Sequence, residues 1–401
     1  MKYPFSSTLL LATPLLAAPS PVVVDLAERQ ANTTCAGLPA TYSAVSSAKL
    51  PDPFTSASGE KITTKAQWPC RRLEILQMFY KYELGDKPDK PTVTGTVSST
   101  SISVTASTGG KSISFSASVR MPSGATGPVP AIIAYGGASL GIPSNVATIT
   151  FNNDDMAQQT NTGSRGKGRF YDLYGSSHSA GAMTAWAWGV SRIIDVIEAD
   201  TSKKIDAKRI GVTGCSRNGK GAFVAGALDE RIALTLPQES GSGGAACWRI
   251  SDSEHSAGKN IQTASEIVGE NAWFSSRFDT WAKSNVNGLG VDHHMLAGLV
   301  APRGLLVIEN NIDWLGPVST TGCMRTGALI YQALGAADSF GFSETPGHNH
   351  CQFPSSQQAE LTAFINKFLL GQSVSTAGVD KSDQTSVKAS NYITWTTPTL
   401  T

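Results

Sequence analysis

The residues best equipped for chemistry sit in one short run, Arg209-Ile-Gly-Val-Thr-Gly-Cys-Ser-Arg-Asn-Gly-Lys-Gly221. The hydroxyl of Ser216 is a weak nucleophile by itself. It becomes an effective one when a base takes its proton and an acid orients that base. Bases are available in Gly347-His-Asn-His-Cys351, where His348 and His350 compete for the role. Two carboxylates qualify as the acid, Asp313 and Glu239. Taken alone, Ser216 reads equally well as a helix N-cap, so the surrounding elements have to decide.

Those elements favour a nucleophile. Ile210 to Thr213 is a β-branched run that reads as a buried strand, Gly214 closes it, and Arg217 to Leu228 reads as an Ala-rich helix. A serine on a strand-to-helix turn is the nucleophile elbow of α/β-hydrolases. The helix start directs unpaired N–H groups and positive dipole to where an oxyanion forms. The usual signature is G-x-S-x-G; here it is G-C-S-R-N-G, with Asn218 in the place of the second glycine.

Other strands are expected at Val129–Tyr135, 145–151, Ile232–Pro237, 305–309 and 339–342, with helices at 70–84, 181–199, 320–334 and 359–370. Strands alternating with helices predict a mainly parallel sheet between helical layers, an α/β-hydrolase fold in three layers. Ahead of them, Thr92–Val104 and Lys111–Val119 alternate apolar residues with Ser and Thr across Thr108-Gly-Gly110, which predicts an antiparallel hairpin. Gly136-Gly137, after the first buried strand, is either a second oxyanion-hole donor or a tight turn. Residues 163–175 read as a Gly-, Arg- and Tyr-rich loop.

In α/β-hydrolases the histidine follows the last strand, which suits the 347–351 run. Cys215 precedes Ser216 and Cys351 follows His350, so a bridge between them would hold their Cα atoms roughly 5.5–6 Å apart and favour His350 over His348. Asp313 occupies the more usual acid position, past the 305–309 strand. Glu239 ends the strand after the elbow helix. Either reaches a neighbouring strand end.

Lys+Arg 32 against Asp+Glu 31 leaves a formal net charge of +1, which gives no basis for nucleic-acid or anionic-membrane binding. Residues 1–18 read as a secretory signal peptide and 19–30 as a propeptide ending at Glu28-Arg29-Gln30. A single catalytic domain is expected from 31 to 401, with a loosely docked Ser/Thr-rich tail from about 371. Six cysteines suit an extracellular protein, no CxxC pair suggests zinc, and Asn32 heads an N-glycosylation sequon.

Three motifs together carry a family resemblance: Val212-Thr-Gly-Cys-Ser-Arg-Asn-Gly-Lys220, Leu236-Pro-Gln-Glu-Ser-Gly241 and Gly347-His-Asn-His-Cys351. The chain from about Cys35 to Leu370 resembles the fungal glucuronoyl esterases of carbohydrate esterase family 15. The resemblance selects Glu239 over Asp313 as the acid beside Ser216 and His350, and gives Arg217 a part in the oxyanion hole. It implies a sugar-reading patch of Lys220, Gln262, Glu270 and Trp314. It also implies the pairings Cys35–Cys70, Cys215–Cys351 and Cys247–Cys323. The expected activity is cofactor- and metal-free hydrolysis of 4-O-methyl-D-glucuronate esters, the links between glucuronoxylan and lignin, by a secreted monomer. The alternatives are an acetyl xylan or feruloyl esterase on the same fold, or a non-catalytic carbohydrate-binding protein.

Overall fold

Alternation along the strands decides how the layers stack. The computed structural model describes residues 35–401, which belong to one compact unit. The leader, the processing site and Asn32 lie outside the described residues. Ten strands form one mixed sheet in the order β1-β2-β3-β5-β4-β6-β7-β8-β9-β10. They are β1 Thr92–Val97, β2 Ser101–Thr108, β3 Lys111–Arg120, β4 Val129–Tyr135, β5 Ala147–Phe151, β6 Ile205–Cys215, β7 Ile232–Gln238, β8 Gly304–Glu309, β9 Phe340–Glu344 and β10 Asp380–Lys381.

From β5 through β4 to β10 every pairing is parallel. Of these, β4, β7, β8 and β9 are buried on both faces, as parallel strands must be when helices cover both sides, while β10 is an exposed edge. On β4, Ile133 and Tyr135 enter the larger core, while Ile132 enters the smaller one. Leu305 and Val307 of β8 likewise face one way, and Leu306 and Ile308 the other. The large core packs under helices α1 (Trp68–Phe79), α3 (Ala182–Ala199), α4 (Arg217–Leu228), α7 (His293–Val300) and α8 (Pro317–Ala333), while α9 (Gln358–Phe368) covers the small one with Leu361, Phe364 and Ile365, joined by Leu140 and Val146 from the loop before β5. Between these lie α2 (Arg169–Tyr174), α5 (Trp248–Ser256) and α6 (Ala264–Glu270).

Three expectations change. The single hairpin is a three-stranded antiparallel meander, because Ser98 closes a turn onto Ser101 and breaks Thr92–Val104 in two. On β3 the serines at 112, 114, 116 and 118 are exposed while Ile113, Phe115, Ala117 and Val119 are buried, the one-sided pattern of an antiparallel strand. The 163–175 loop contains α2, whose Phe170 is buried against Trp188. The tail beyond residue 371 is not loosely held: β10 adds to β9, Leu400 is buried, and Trp395 packs on Phe54 and donates to the Leu50 carbonyl.

Candidate active site

The elbow is the junction of β6 and α4. Ser216 takes φ 60°, ψ −129°, left-handed backbone that a serine adopts only when its surroundings impose it. Two glycines make the bend possible. A Cβ on Gly214 would lie 2.4 Å from the Asn218 carbonyl oxygen, and one on Gly219 would lie 2.4 Å from that of Gln238. The close approach that G-x-S-x-G assigns to its second glycine thus falls one residue later, on Gly219. Asn218 is freed for other work: its amide donates to the Tyr135 carbonyl and its oxygen accepts from Asn153. The Ser216 N–H donates to the Gln238 carbonyl, which ties the elbow to β7.

The Cys215–Cys351 disulfide is present, with Cα atoms 5.8 Å apart. It brings His350 to the elbow, as its neighbours' spacing predicted. Cys351 itself has φ 63°. His350 Nδ1 lies 2.8 Å from Glu239 Oε2, and the Cys351 N–H donates to that same oxygen at 2.9 Å. A carboxylate only accepts, so Nδ1 carries the proton and Nε2 keeps its lone pair. Nε2 is buried and has no partner among the described residues.

His348 is placed differently. Its Nε2 donates to the Thr345 carbonyl at 2.9 Å and its Nδ1 faces the Asn310 amide at 3.2 Å. Its 3.7 Å separation from Glu239 is too long for a hydrogen bond. Both ring nitrogens are occupied, so His348 has no lone pair to spare. Asp313 is exposed and makes no hydrogen bond to either histidine. Glu239 is fully buried at the end of β7 with φ 44°, and the Asn310 amide also reaches its Oε2, at 3.4 Å.

A ring nitrogen of His350 and the sulfurs of Cys215 and Cys351 lie within 4.8 Å of one another. Both sulfurs are spent in the bridge, so neither can supply the thiolate a metal would need.

The other expected residues gather around this point. Trp314 meets the His350 ring edge-on, centroids 4.8 Å apart. Its carbonyl accepts from the Gln262 N–H, and the Gln262 amide donates to Glu270 at 3.2 Å. Lys220 is 4% exposed and its ammonium donates to the Ser240 carbonyl. Burial pushes its pKa down to about 8, while Glu309 and Glu270 pull the other way. Arg217 is exposed, on the first turn of α4, and its guanidinium makes no hydrogen bond or ion pair among the described residues. Of the glycine pair, Gly136 donates its N–H to the Phe151 carbonyl, so it is not a free oxyanion donor.

The remaining bridges, Cys35–Cys70 and Cys247–Cys323, also form. The sequence reading missed Glu309 and Asn310. Glu309 is a charged residue closing the apolar strand GLLVIE, and an ionisable group ending so buried a run is the available signal.

This geometry can be set beside known proteins. A family model described as "Glucuronyl esterase, fungi" matches residues 104–335. A 4-O-methyl-glucuronoyl methylesterase from Thermothelomyces thermophilus is 58% identical over 393 residues, 97% of each chain. The glucuronoyl esterase catalytic domain from Hypocrea jecorina superposes with a TM-score of 0.88 at 57% identity, covering 91% of this chain and all of that one. A serine-to-alanine mutant of the glucuronoyl esterase from Sporotrichum thermophile, in complex with methyl 4-O-methyl-beta-D-glucopyranuronate, gives 0.89 at 58%, covering 92% and 100%. With likeness of this extent in sequence and in backbone, on an α/β-hydrolase scaffold, the chain belongs to the fungal glucuronyl esterase family.

Proposed function

We propose that this chain is a secreted serine esterase that hydrolyses esters of 4-O-methyl-D-glucuronic acid, with glucuronoxylan–lignin esters as its natural targets. The observation that carries the reading is the 2.8 Å contact between Glu239 and His350, held beside Ser216 by the Cys215–Cys351 bridge. Ser216 Oγ attacks the uronoyl carbonyl carbon while His350 Nε2 takes the hydroxyl proton. Glu239 holds the resulting imidazolium. N–H groups at the start of α4 and the Arg217 guanidinium stabilise the oxyanion. On collapse the carbon–oxygen bond to the alcohol breaks, and the alcohol leaves with the proton from His350. Water then attacks the glucuronoyl-enzyme and gives its proton to His350; the bond from the acyl carbon to Ser216 Oγ breaks, His350 returns that proton to Oγ, and glucuronic acid leaves.

Lys220, Gln262, Glu270 and Trp314 read the sugar. The esterified uronate carries no charge, so Lys220 serves as a donor to hydroxyls. The test is release of acid from methyl 4-O-methyl-glucuronate and of acetate from acetylated xylan by wild type and Ser216→Ala. We expect turnover of the first substrate, little of the second, and a loss of about a million-fold in the variant, the usual cost of removing a triad serine. Preferred release of acetate would replace this reading with that of an acetyl xylan esterase.

A further inference from the structure

Three adjacent strands carry a buried glutamate at their C-terminal ends: Glu239 just past β7, Glu309 closing β8 and Glu344 closing β9. Glu309 and Glu344 lie opposite each other in register. The reaction described above uses only Glu239. Glu309 is completely buried, and its Oε1 collects three donors from one turn. These are the Ser240 N–H at 2.8 Å, the Ser240 hydroxyl at 2.8 Å and the Gly241 N–H at 3.4 Å.

That turn is where the backbone becomes left-handed, at φ 44° for Glu239 and φ 50° for Gly241. Ser240 is held from the other side as well, since its carbonyl accepts the Lys220 ammonium and its hydroxyl accepts from the Ala245 N–H. One residue thus joins the carboxylate that meets His350 to the ammonium proposed to meet the sugar. Glu309 grips that joint.

We infer that Glu309 is a positioning residue for the esterase reaction: it fixes the 239–241 turn so that Glu239 meets His350 and Lys220 meets the substrate. This rests on the function proposed above. The charged groups facing Glu309 are Glu239 from β7, Lys220 from α4 and Glu344 from β9; Thr345 and Gln357 donate to its backbone carbonyl. Burial pushes the Glu309 carboxyl up to about 7, the Ser240 donors oppose the rise, Glu239 adds to it and Lys220 opposes it. An acceptor at Oε1 survives in either protonation state, so the charge is not what the turn requires.

The test compares Glu309→Ala, Glu309→Asp and Glu309→Gln on methyl 4-O-methyl-glucuronate and phenyl acetate, with Tm measured alongside. Removing or withdrawing the acceptor (Ala, Asp) is expected to lower kcat about tenfold on both esters, and to raise KM for the glucuronate alone. Gln presents an oxygen at the same reach and is expected to stay within about threefold of wild type. Asp keeps the charge on a shorter side chain and decides the matter if Ala does not fold. Variants with lowered Tm but wild-type kcat in the folded protein would overturn the inference, as would Gln losing as much as Asp. The functional reading fails separately, if wild type leaves the glucuronate ester intact while hydrolysing phenyl acetate.

Discussion

Lys220 is the side chain whose setting says most about substrate choice. An ammonium this buried is costly unless a ligand or partner receives its protons, and here one carbonyl, that of Ser240, receives part of its donor capacity. In the proposed function a sugar hydroxyl receives the rest. Lys220→Ala should lower kcat/KM for glucuronate esters by roughly ten- to a hundredfold, the cost of about 1–3 kcal/mol for a lost buried hydrogen bond. Phenyl acetate, which has no sugar, should be hydrolysed as before; equal losses would move Lys220 from reading sugar to supporting the elbow. With its pKa lowered to about 8 by burial, Lys220 is charged below that pH and loses its proton above it. KM for the glucuronate should therefore climb above pH 8 while KM for phenyl acetate stays flat. The acid can be tested in the same assays: Glu239→Ala should depress kcat far more than Asp313→Ala, and the reverse order would break the proposed triad at its third member. The choice of acid was not legible from position alone. Asp313 occupies the commoner place, and nothing in the composition near Glu239 announces a non-glycine residue at φ 44°. The placement of His350 beside the elbow had a signal in the sequence, because cysteines adjacent to Ser216 and His350 form a bridge that constrains this histidine and not His348.

Elements place these groups, and the junction between β6 and the 347–351 loop bears most on catalysis. Cys215 and Cys351 are 136 residues apart, so their bridge closes a long loop. In the chain-entropy account that contributes about 5 kcal/mol. A Cys215→Ala, Cys351→Ala double variant should lose several degrees in Tm and also lose kcat at temperatures where it stays folded, since His350 is no longer tethered beside Ser216. A variant with reduced Tm but full kcat would show that Glu239 alone suffices to hold the histidine. The inner parallel strands β4, β7 and β8 were readable because each is a mostly apolar run with a turn signal after it. The antiparallel edge was harder. Ser98-Ser-Thr-Ser101 interrupts the alternation with four hydroxyl residues in a row, but the turn that Ser98 closes has no glycine or proline to mark it. The displaced second glycine of the elbow was visible as a departure from G-x-S-x-G, but its reason, the 2.4 Å approach to Gln238 of the next strand, exists only once β6 and β7 are paired.

At the scale of the molecule, the segment after Leu370 acts as a strap across the sheet edge and the helices beside it. Its composition predicted loose attachment; its few apolar residues and paired charges are what hold it. Asp380 binds Arg325, the Thr401 carbonyl accepts from the Lys65 N–H, and the Ser382 hydroxyl donates to Glu344 at 2.8 Å. Burial pushes the Glu344 carboxyl up to about 8, against the Ser382 and Thr320 hydroxyls and with Glu309 and Asp383 adding to the rise. A carboxyl raised from its ordinary value of 4.5 holds its proton more tightly folded than unfolded. Its stabilisation is full below pH 4.5 and is lost as pH rises to about 8. His294, pushed down to about 4 by burial from 6.5, works in the opposite sense, but only below pH 6.5. The window is therefore pH 6.5 to about 8, where Glu309 and Glu344 both lose protons they prefer to keep and His293, whose burial lowers its pKa but is outweighed by Glu83, acts in the same direction; Lys87 and Lys220, pushed down to about 8 by burial, oppose the fall only near its upper end. Wild-type Tm should fall by several degrees across that window. Glu344→Gln should fall by less, because its amide has no proton to lose. A chain ending at Leu370 should start from a lower Tm and also show a shallower fall, since Glu344 would regain water. An equal fall in wild type and Glu344→Gln would mean that Glu344 is already ionised under the strap, and that the strap's contribution to stability comes from packing alone.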